Sequence, residues 1–405
     1  MGWLIGLGFM ACGRQGHRGG KEVIRLAQPS PAAVLISRTL RLPMIGFLVA
    51  CTSSLPPSTE TGREGDIAAP LPSTPPITTG PTGTTGSIDT GTPLPAATAV
   101  TVSGRTIEVN GTPFLVRGVC WNPVARGDVH PADLDFAGFV NLDAPLMAKA
   151  GLNVVRTYEP ITDRAVLDTL YANRIYVMNT VYPNGFAPVE SVDGLVAAVQ
   201  DHPAVLGWVV GNEWNYNGIY SSLSFEEARD RVEAVAARLQ TLDDKPVITI
   251  YGELPPSDVL SAIPSVDIWG INAYRGIGFG SLFTDWAAIS TKPMFLGEYG
   301  ADAWDATQNQ ENEAAQAEAT AALTGLILAQ STLSGGVVSG GTIFEWADEW
   351  WKDVNGDPAV HDTGGIAPGG GPHPDATFNE EWWGIVDIDR NPRSAYFELQ
   401  KLYAP

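Results

Sequence analysis

The 405-residue chain has only three cysteines, Cys12, Cys51 and Cys120, and no two share the short spacing of a metal knuckle or redox pair. A disulfide framework and a cysteine-based metal site are thereby excluded. Only five histidines occur, and none closes an apolar run, so a metal-dependent barrel hydrolase lacks its ligands. Basic residues are scarce as well. Twenty-four Lys and Arg stand against 45 Asp and Glu, for a formal charge of −21. That balance repels nucleic acid and anionic membrane faces, and it suits a neutral or cationic substrate. Asp353, Asn355 and Asp357 are spaced like the start of a calcium loop, but Pro358 and Gly364 replace its turn glycine and closing glutamate. No metal and no cofactor is expected.

Aromatic residues are absent from residues 52–98, where 32 of 47 positions are Pro, Thr, Ser or Gly. Such a segment buries too little apolar surface to offset its ordering entropy, and an extended, disordered tether is expected there. Before it, Arg38 and Arg41 precede an apolar run from Leu42 to Ala50 that ends at Cys51. The run is about half the roughly 20 residues of a membrane span. Leu48-Val49-Ala50-Cys51 resembles the lipobox of bacterial lipoproteins, which implies a lipidated Cys51 at the mature N-terminus. The 37 residues before Arg38 then point to a start codon assigned too far upstream. Residues 1–51 are thus read as a signal and lipoprotein region, 52–98 as a linker, and 99–405 as one folded domain. An exported protein at the cell surface or in the periplasm is expected, monomeric and on the membrane only through its lipid; cleaved secretion is the alternative.

From about Ala99 the pattern changes. Thr101–Val109 and Pro113–Val119 flank the turn Asn110-Gly111 and predict a hairpin. Apolar, β-branched runs then recur at Phe114–Trp121, Val154–Tyr158, Ile175–Tyr182, Val205–Trp214, Val247–Tyr251, Val266–Tyr274, Met294–Tyr299 and Gly341–Trp346. Helical patterns such as Phe225–Leu239, Glu311–Gln330 and Arg393–Leu402 lie between or after them. Eight such alternations fit an α/β fold of the (β/α)8 TIM-barrel type, with a short N-terminal β-hairpin, better than a doubly wound sheet.

In such a barrel the active site gathers at the C-terminal ends of the strands. The polar residues there are Trp121 and Asn122, Arg156 and Tyr158, Asn179 and Tyr182, Asn212 and Glu213, Tyr251 and Glu253, Asn272 and Tyr274, Glu298 and Tyr299, and Glu345, Trp346, Asp348 and Glu349. Carboxylates, amides and aromatics converging on one mouth suit a sugar. Cleaving a glycosidic bond needs two carboxyl groups, and Glu213 and Glu298, ending the fourth and seventh strands, face each other across such a mouth.

Gly211-Asn212-Glu213-Trp214-Asn215 resembles the acid/base motif of clan A glycoside hydrolases, and Phe295-Leu296-Gly297-Glu298-Tyr299-Gly300 resembles that clan's nucleophile motif. The resemblance implies a retaining β-glycosidase: Glu213 as general acid/base, Glu298 as nucleophile, and Arg156 keeping Glu298 ionised. It further implies that Asn212 binds the 2-hydroxyl, that Tyr274 hydrogen-bonds the nucleophile, and that Trp346 floors the sugar site. Trp121 and Asn272 complete the expected substrate contacts. Retaining enzymes hold their carboxyl groups about 5–5.5 Å apart.

His202-Pro203-Ala204-Val205-Leu206-Gly207-Trp208 and the ending Gly384-Ile385-Val386-Asp387 with Asp389-Arg390 are similar to the family 2 barrel. Val116-Arg117-Gly118-Val119, Ala150–Tyr158 and Trp269–Tyr274 are similar to the family 72 glucanosyltransferases. Transglycosylation of a β-glucan is therefore an alternative, with Trp350, Trp351, Trp382 and Trp383 as candidate acceptor contacts. A catalytically silent, cell-surface carbohydrate-binding barrel is the other.

Overall fold

Eight parallel strands close on themselves in a computed structural model, which describes residues 98–352, 367 and 369–404. Cys51, the signal region, nearly all of the linker and the calcium-like stretch lie outside the described residues. Ahead of the barrel, β1 (Val100–Ser103), β2 (Thr106–Val109) and β3 (Thr112–Phe114) form an antiparallel sheet. The expected single hairpin is thus a three-stranded meander. Gly104 takes a φ of +58° and turns the chain inside what reads as one continuous strand.

The barrel is built from β4 (Val116–Cys120), β5 (Val154–Arg156), β6 (Tyr176–Tyr182), β7 (Val205–Val210), β8 (Val247–Gly252), β9 (Ile268–Asn272) and β10 (Met294–Tyr299). After a two-strand excursion, β11 (Trp304–Asp305) and β12 (Gln310–Glu311), the last barrel strand is β13 (Val338–Ile343). Closure is made by β13, which pairs with β10 on one side and β4 on the other. Every residue of β7, β8, β9, β10 and β13 is buried, as expected where helices cover one strand face and the barrel interior the other. Among the described residues no helix is long and apolar enough to cross a membrane.

The helices are α1 (Phe136–Lys149), α2 (Arg164–Ala172), α3 (Val192–Val199), the short α4 (Trp214–Asn217), α5 (Phe225–Gln240), α6 (Ser257–Ala262), α7 (Leu282–Ile289), α8 (Glu313–Ala329) and α9 (Ser394–Tyr403). The expected helices α5, α8 and α9 begin within two residues of their predicted starts. A full capping box starts α5, where Ser224 and Glu227 satisfy each other's backbone N–H groups.

Three buried apolar clusters result, of which the smallest joins Cys120, Tyr274, Phe344 and Trp383 and the other two form layers. The larger lies between strands and helices, and its members include Leu167, Val196, Val235, Trp269 and Leu323. The smaller fills the barrel's lower interior with Met178, Leu206, Ile248 and Phe295, and Val100, Ile107 and Val109 of the N-terminal sheet belong to the same cluster. The sheet is therefore the barrel's floor, and its hydrophobic alternation is spent on closing that end.

A buried polar knot fastens the opposite rim. Asp143 of α1 accepts from Trp121 Nε1 at 2.9 Å and from Arg390 Nε at 3.2 Å, and none of the three side chains is more than slightly exposed. Removing the carboxylate leaves the indole N–H buried with no acceptor and the guanidinium with only the Ile388 carbonyl, at 2.6 Å. Asp143→Ala is expected to destabilise the barrel by about 3–5 kcal/mol. Urea unfolding checks this, and a loss below about 1 kcal/mol, the range of a surface pair, contradicts the assignment.

Candidate active site

This topology brings most of the expected strand-end residues together. Arg156 is the last residue of β5, Glu298 lies near the end of β10, and Asn272 is the last of β9. Asn212 and Glu213 come directly after β7, in a turn that only special backbone geometry allows. Gly211 has a φ of +69°, and Glu213 itself sits in the left-handed region at φ 46°, ψ 36°. A non-glycine residue there costs on the order of 1–2 kcal/mol. The turn aims the Glu213 carboxyl back over the barrel mouth before α4 begins.

Arg156 is fully buried, with Nη1 and Nη2 engaged and Nε without a hydrogen-bond partner. Nη1 donates to Glu298 Oε1 at 2.9 Å and to the Gly297 carbonyl at 2.8 Å, and Nη2 donates to Asn212 Oδ1 at 2.6 Å. Glu298, only 6% exposed, receives two more donors: Tyr158 on Oε1 at 2.7 Å and Tyr274 on Oε2 at 2.9 Å. Both of its oxygens are thus fixed. Glu213 has a poorer environment, in which Asn272 Nδ2 donates to its Oε1 at 3.1 Å. The same Nδ2 also reaches Asn212 Oδ1 at 3.2 Å, and Asn212 Nδ2 donates to the Tyr220 hydroxyl at 3.1 Å. One continuous network therefore runs from Glu213 through Asn272, Asn212 and Arg156 to Glu298.

The electrostatics separate the two carboxyls. Burial, and then the negative charge of Glu298, push the Glu213 carboxyl up to about 7. Burial likewise drives the Tyr158 and Tyr274 phenols well above the usual tyrosine range, so both remain donors. A carboxyl group pushed up to about 7, near a second carboxyl that accepts from three donors, gives two neighbouring groups with unequal environments.

Two expected contacts lie elsewhere. Trp121 is not at the mouth: it is fully buried, packs 5.0 Å from Phe136 of α1, and serves the Asp143 knot. Trp346 is not the floor of the pocket either. It is 1% exposed and packs toward Tyr396 of α9 at 6.4 Å. Nearer to Glu298 is Phe344, whose ring lies 6.3 Å from Tyr158 and 5.3 Å from Trp383. The reason is register. β13 ends at Ile343, three residues before the apolar run ends, because it starts early in Val338-Ser339-Gly340-Gly341. Gly340 and Gly341 carry no side chain to signal a strand, yet a Cβ at Gly340 would stand 2.1 Å from the Val116 carbonyl oxygen. Trp383 is itself fully buried against Tyr274 and Phe344, which leaves it no exposed face for an acceptor sugar. Trp350, Trp351 and Trp382 are half-buried. The exposed aromatics beside Glu213 are Tyr216 and Tyr220, on and just after α4.

Tyr158, on Glu298, has a role that the sequence reading leaves unassigned although its signal is legible. It stands two residues after Arg156, and period-two alternation puts both on one face of the chain. Phe344 carries no such signal. Beyond it lies a second charged group, in which Lys352 Nζ is 4.8 Å from the Phe344 ring centroid and pairs with Glu349 at 2.8 Å and with Glu380. Glu345 and Glu349 are both buried at this rim. Among the described residues no group of three or more His, Cys, Asp or Glu side chains could hold a metal ion.

No family model matches the chain. It is 27% identical to β-glucuronidase of Rattus norvegicus over 229 residues, which is 50% of this chain and 34% of that protein. The β-glucuronidase of Mus musculus is 26% identical over the same length and shares. The match thus spans about a third of the length of these curated relatives. Among solved structures, a family 2 β-galacturonidase from Eisenbergiella tayi superposes with a TM-score of 0.55 at 17% identity, over 76% of this chain and 54% of that one. A β-glucuronidase from Bifidobacterium dentium gives 0.54 at 19% identity, over 76% and 49%. The barrel is thus like that of family 2 glycoside hydrolases.

Raising the Glu213 pKa on folding has a thermodynamic consequence. Between about 4.5 and 7 the folded chain binds more protons at this group than the unfolded chain does. Its contribution is therefore complete at low pH and is lost as pH rises through that window. Glu213→Gln is expected to remove this component, so that the variant gains stability relative to wild type between pH 5 and 8. Parallel urea titrations at the two pH values measure it, and an unchanged difference would show that the group is not buried as a neutral acid.

Proposed function

We propose that the chain is a retaining β-glycosidase that cleaves O-glycosidic bonds in a β-linked oligo- or polysaccharide by double displacement. The observation that carries this reading is the unequal environment of Glu213 and Glu298 at the ends of β7 and β10. Protonated Glu213 donates to the leaving glycosidic oxygen while Glu298 attacks the anomeric carbon and the C–O bond breaks. Glu213, now a carboxylate, takes a proton from water as that water attacks the glycosyl ester and releases Glu298. Two inversions restore the β configuration. Arg156, Tyr158 and Tyr274 hold the Glu298 carboxylate in one orientation, so little reorganisation accompanies the attack. Asn212, fixed through its oxygen by Arg156, has an amide N–H for the sugar 2-hydroxyl. The likeness to family 2 barrels supports the reading at the level of fold.

A sugar hydroxyl replacing water in the second step gives transglycosylation. The exposed rings of Tyr216 and Tyr220 favour an acceptor on the Glu213 side, since aromatic faces stack on the CH surface of sugars. The resemblance to the glucanosyltransferases stays open on this reading, and the same two glutamates serve both outcomes.

Glu298→Ala should abolish turnover and trapping by a 2-fluoro glycoside. Glu213→Ala should keep activity on aryl glycosides with good leaving groups and yield a β-glycosyl azide when azide is added. Proton NMR of the first minutes of reaction should show the β-anomer of the product. An initial α-anomer, or no azide adduct and equal loss on all substrates in Glu213→Ala, would reverse the assignment.

We also propose that the protein is exported and lipidated at Cys51, with residues 52–98 as its tether. Metabolic labelling with a palmitate analogue should mark the wild type and not Cys51→Ala. Equal labelling of both sinks this localisation.

A further inference from the structure

We infer that the glycon held against Glu298 lacks a carboxylate, so that the substrates are neutral β-hexosides and not uronides. This rests on the glycosidase reading above, and it runs against the names of the relatives, which are glucuronidases and galacturonidases. A uronic acid carries a carboxylate at C6 where a hexose carries CH2OH. A site for it must supply free positive charge or several N–H donors to a second anion beside the nucleophile.

The cations at this mouth are already committed. Arg156 is spent on Glu298, Asn212 and the Gly297 carbonyl. Arg275, on the loop after β9, is paired with Glu253. Lys352 reaches the pocket wall at Phe344, but two carboxylates, Glu349 and Glu380, share its one ammonium. A uronate placed there would be a third anion on one cation.

A second observation points the same way. Two carboxyl groups at this rim, Glu345 and Glu349, are already buried side by side. Asn122 donates to Glu349 at 2.9 Å, which places it on the same acidic wall. Burial and the neighbouring Glu349 raise Glu345 well above the usual carboxyl range, so adding a further anion here is opposed.

The test uses the full chain and fluorogenic β-glycosides of glucose, galactose and mannose beside the glucuronide and galacturonide. At least one neutral glycoside should exceed both uronides in kcat/KM by on the order of 100-fold, the scale expected when a buried anion has no cation to meet it. A uronide within tenfold of the best neutral substrate overturns the inference. If no glycoside of either kind is cleaved, the glycosidase reading fails, and binding decides the question of charge. Calorimetric titration should then show isofagomine binding more tightly than its uronic analogue, and the reverse order overturns the inference. Glu380→Gln probes the cause. Removing one of the two charges on Lys352 should raise the ratio of uronide to neutral kcat/KM, or of the two binding constants, by about tenfold. An unchanged ratio would mean that charge does not set the preference.

Discussion

The guanidinium of Arg156 is the constraint on which the rest of the site depends. A full positive charge buried at the mouth of a closed barrel is prohibitively costly unless acceptors meet most of it. The fold meets it from several strands at once: Glu298 and the Gly297 carbonyl from β10, Asn212 after β7, and the Cys120 sulfur of β4 at 3.5 Å. Satisfying Arg156 therefore fixes both the nucleophile candidate and the asparagine beside the acid. The positions of Glu298 and Asn212 are consequences of desolvating one cation.

That arrangement is possible only because the barrel is narrow and its walls are thin at chosen points. A Cβ at Gly297 would stand 2.8 Å from Asn272 Oδ1, and one at Gly118 would stand 2.5 Å from the Thr342 side chain. Glycine at these positions lets neighbouring strands bring polar side chains inward without a clash. Below this layer lies an apolar cluster that the N-terminal sheet joins. Water is thereby kept from the underside of Arg156, which strengthens its bonds to Glu298 and raises the cost of breaking any of them. Fold stability and site geometry are coupled through the same few contacts.

Much of this is legible in the sequence. The eight apolar runs, their alternation with helices, and the polar residues that end them place Glu213, Glu298, Arg156, Asn212, Asn272 and Tyr274 at one mouth, and the barrel does bring those six together. The expectations that fail share a cause. Trp121 and Trp346 are large aromatic residues at the ends of their runs, which suggests the mouth, but a strand end has two faces, and composition does not say which one a side chain takes. Both indoles turn into packed surroundings, Trp121 toward α1 and Trp346 toward α9. Phe344 and Lys352 give no signal because their roles depend on where β13 stops and how the loop after it folds back.

The eighth strand shows why that last step resists sequence reading. Its central residues are Gly340 and Gly341, which contribute nothing to a hydrophobic pattern, so the visible apolar run begins late and drags the apparent strand end toward Trp346. Yet glycine is required there by packing. A side chain at Gly340 would meet the backbone of Val116, and one at Gly341 would stand 2.8 Å from the Tyr299 ring. The feature that allows β13 to seal the barrel between β4 and β10 is thus the one that hides its register. Sealing in turn sets the path of the next segment. With the strand ending at Ile343, Phe344 becomes the aromatic wall, Trp346 is released to the helix layer, and the acidic stretch after it is folded onto the rim. The charge character of the pocket is then a property of a loop, supplied by Glu345, Glu349, Lys352 and Glu380. Barrels sharing this architecture can keep the two glutamates and Arg156 while changing what that loop presents. Likeness of fold to uronide-cleaving proteins therefore leaves open which sugar the rim admits.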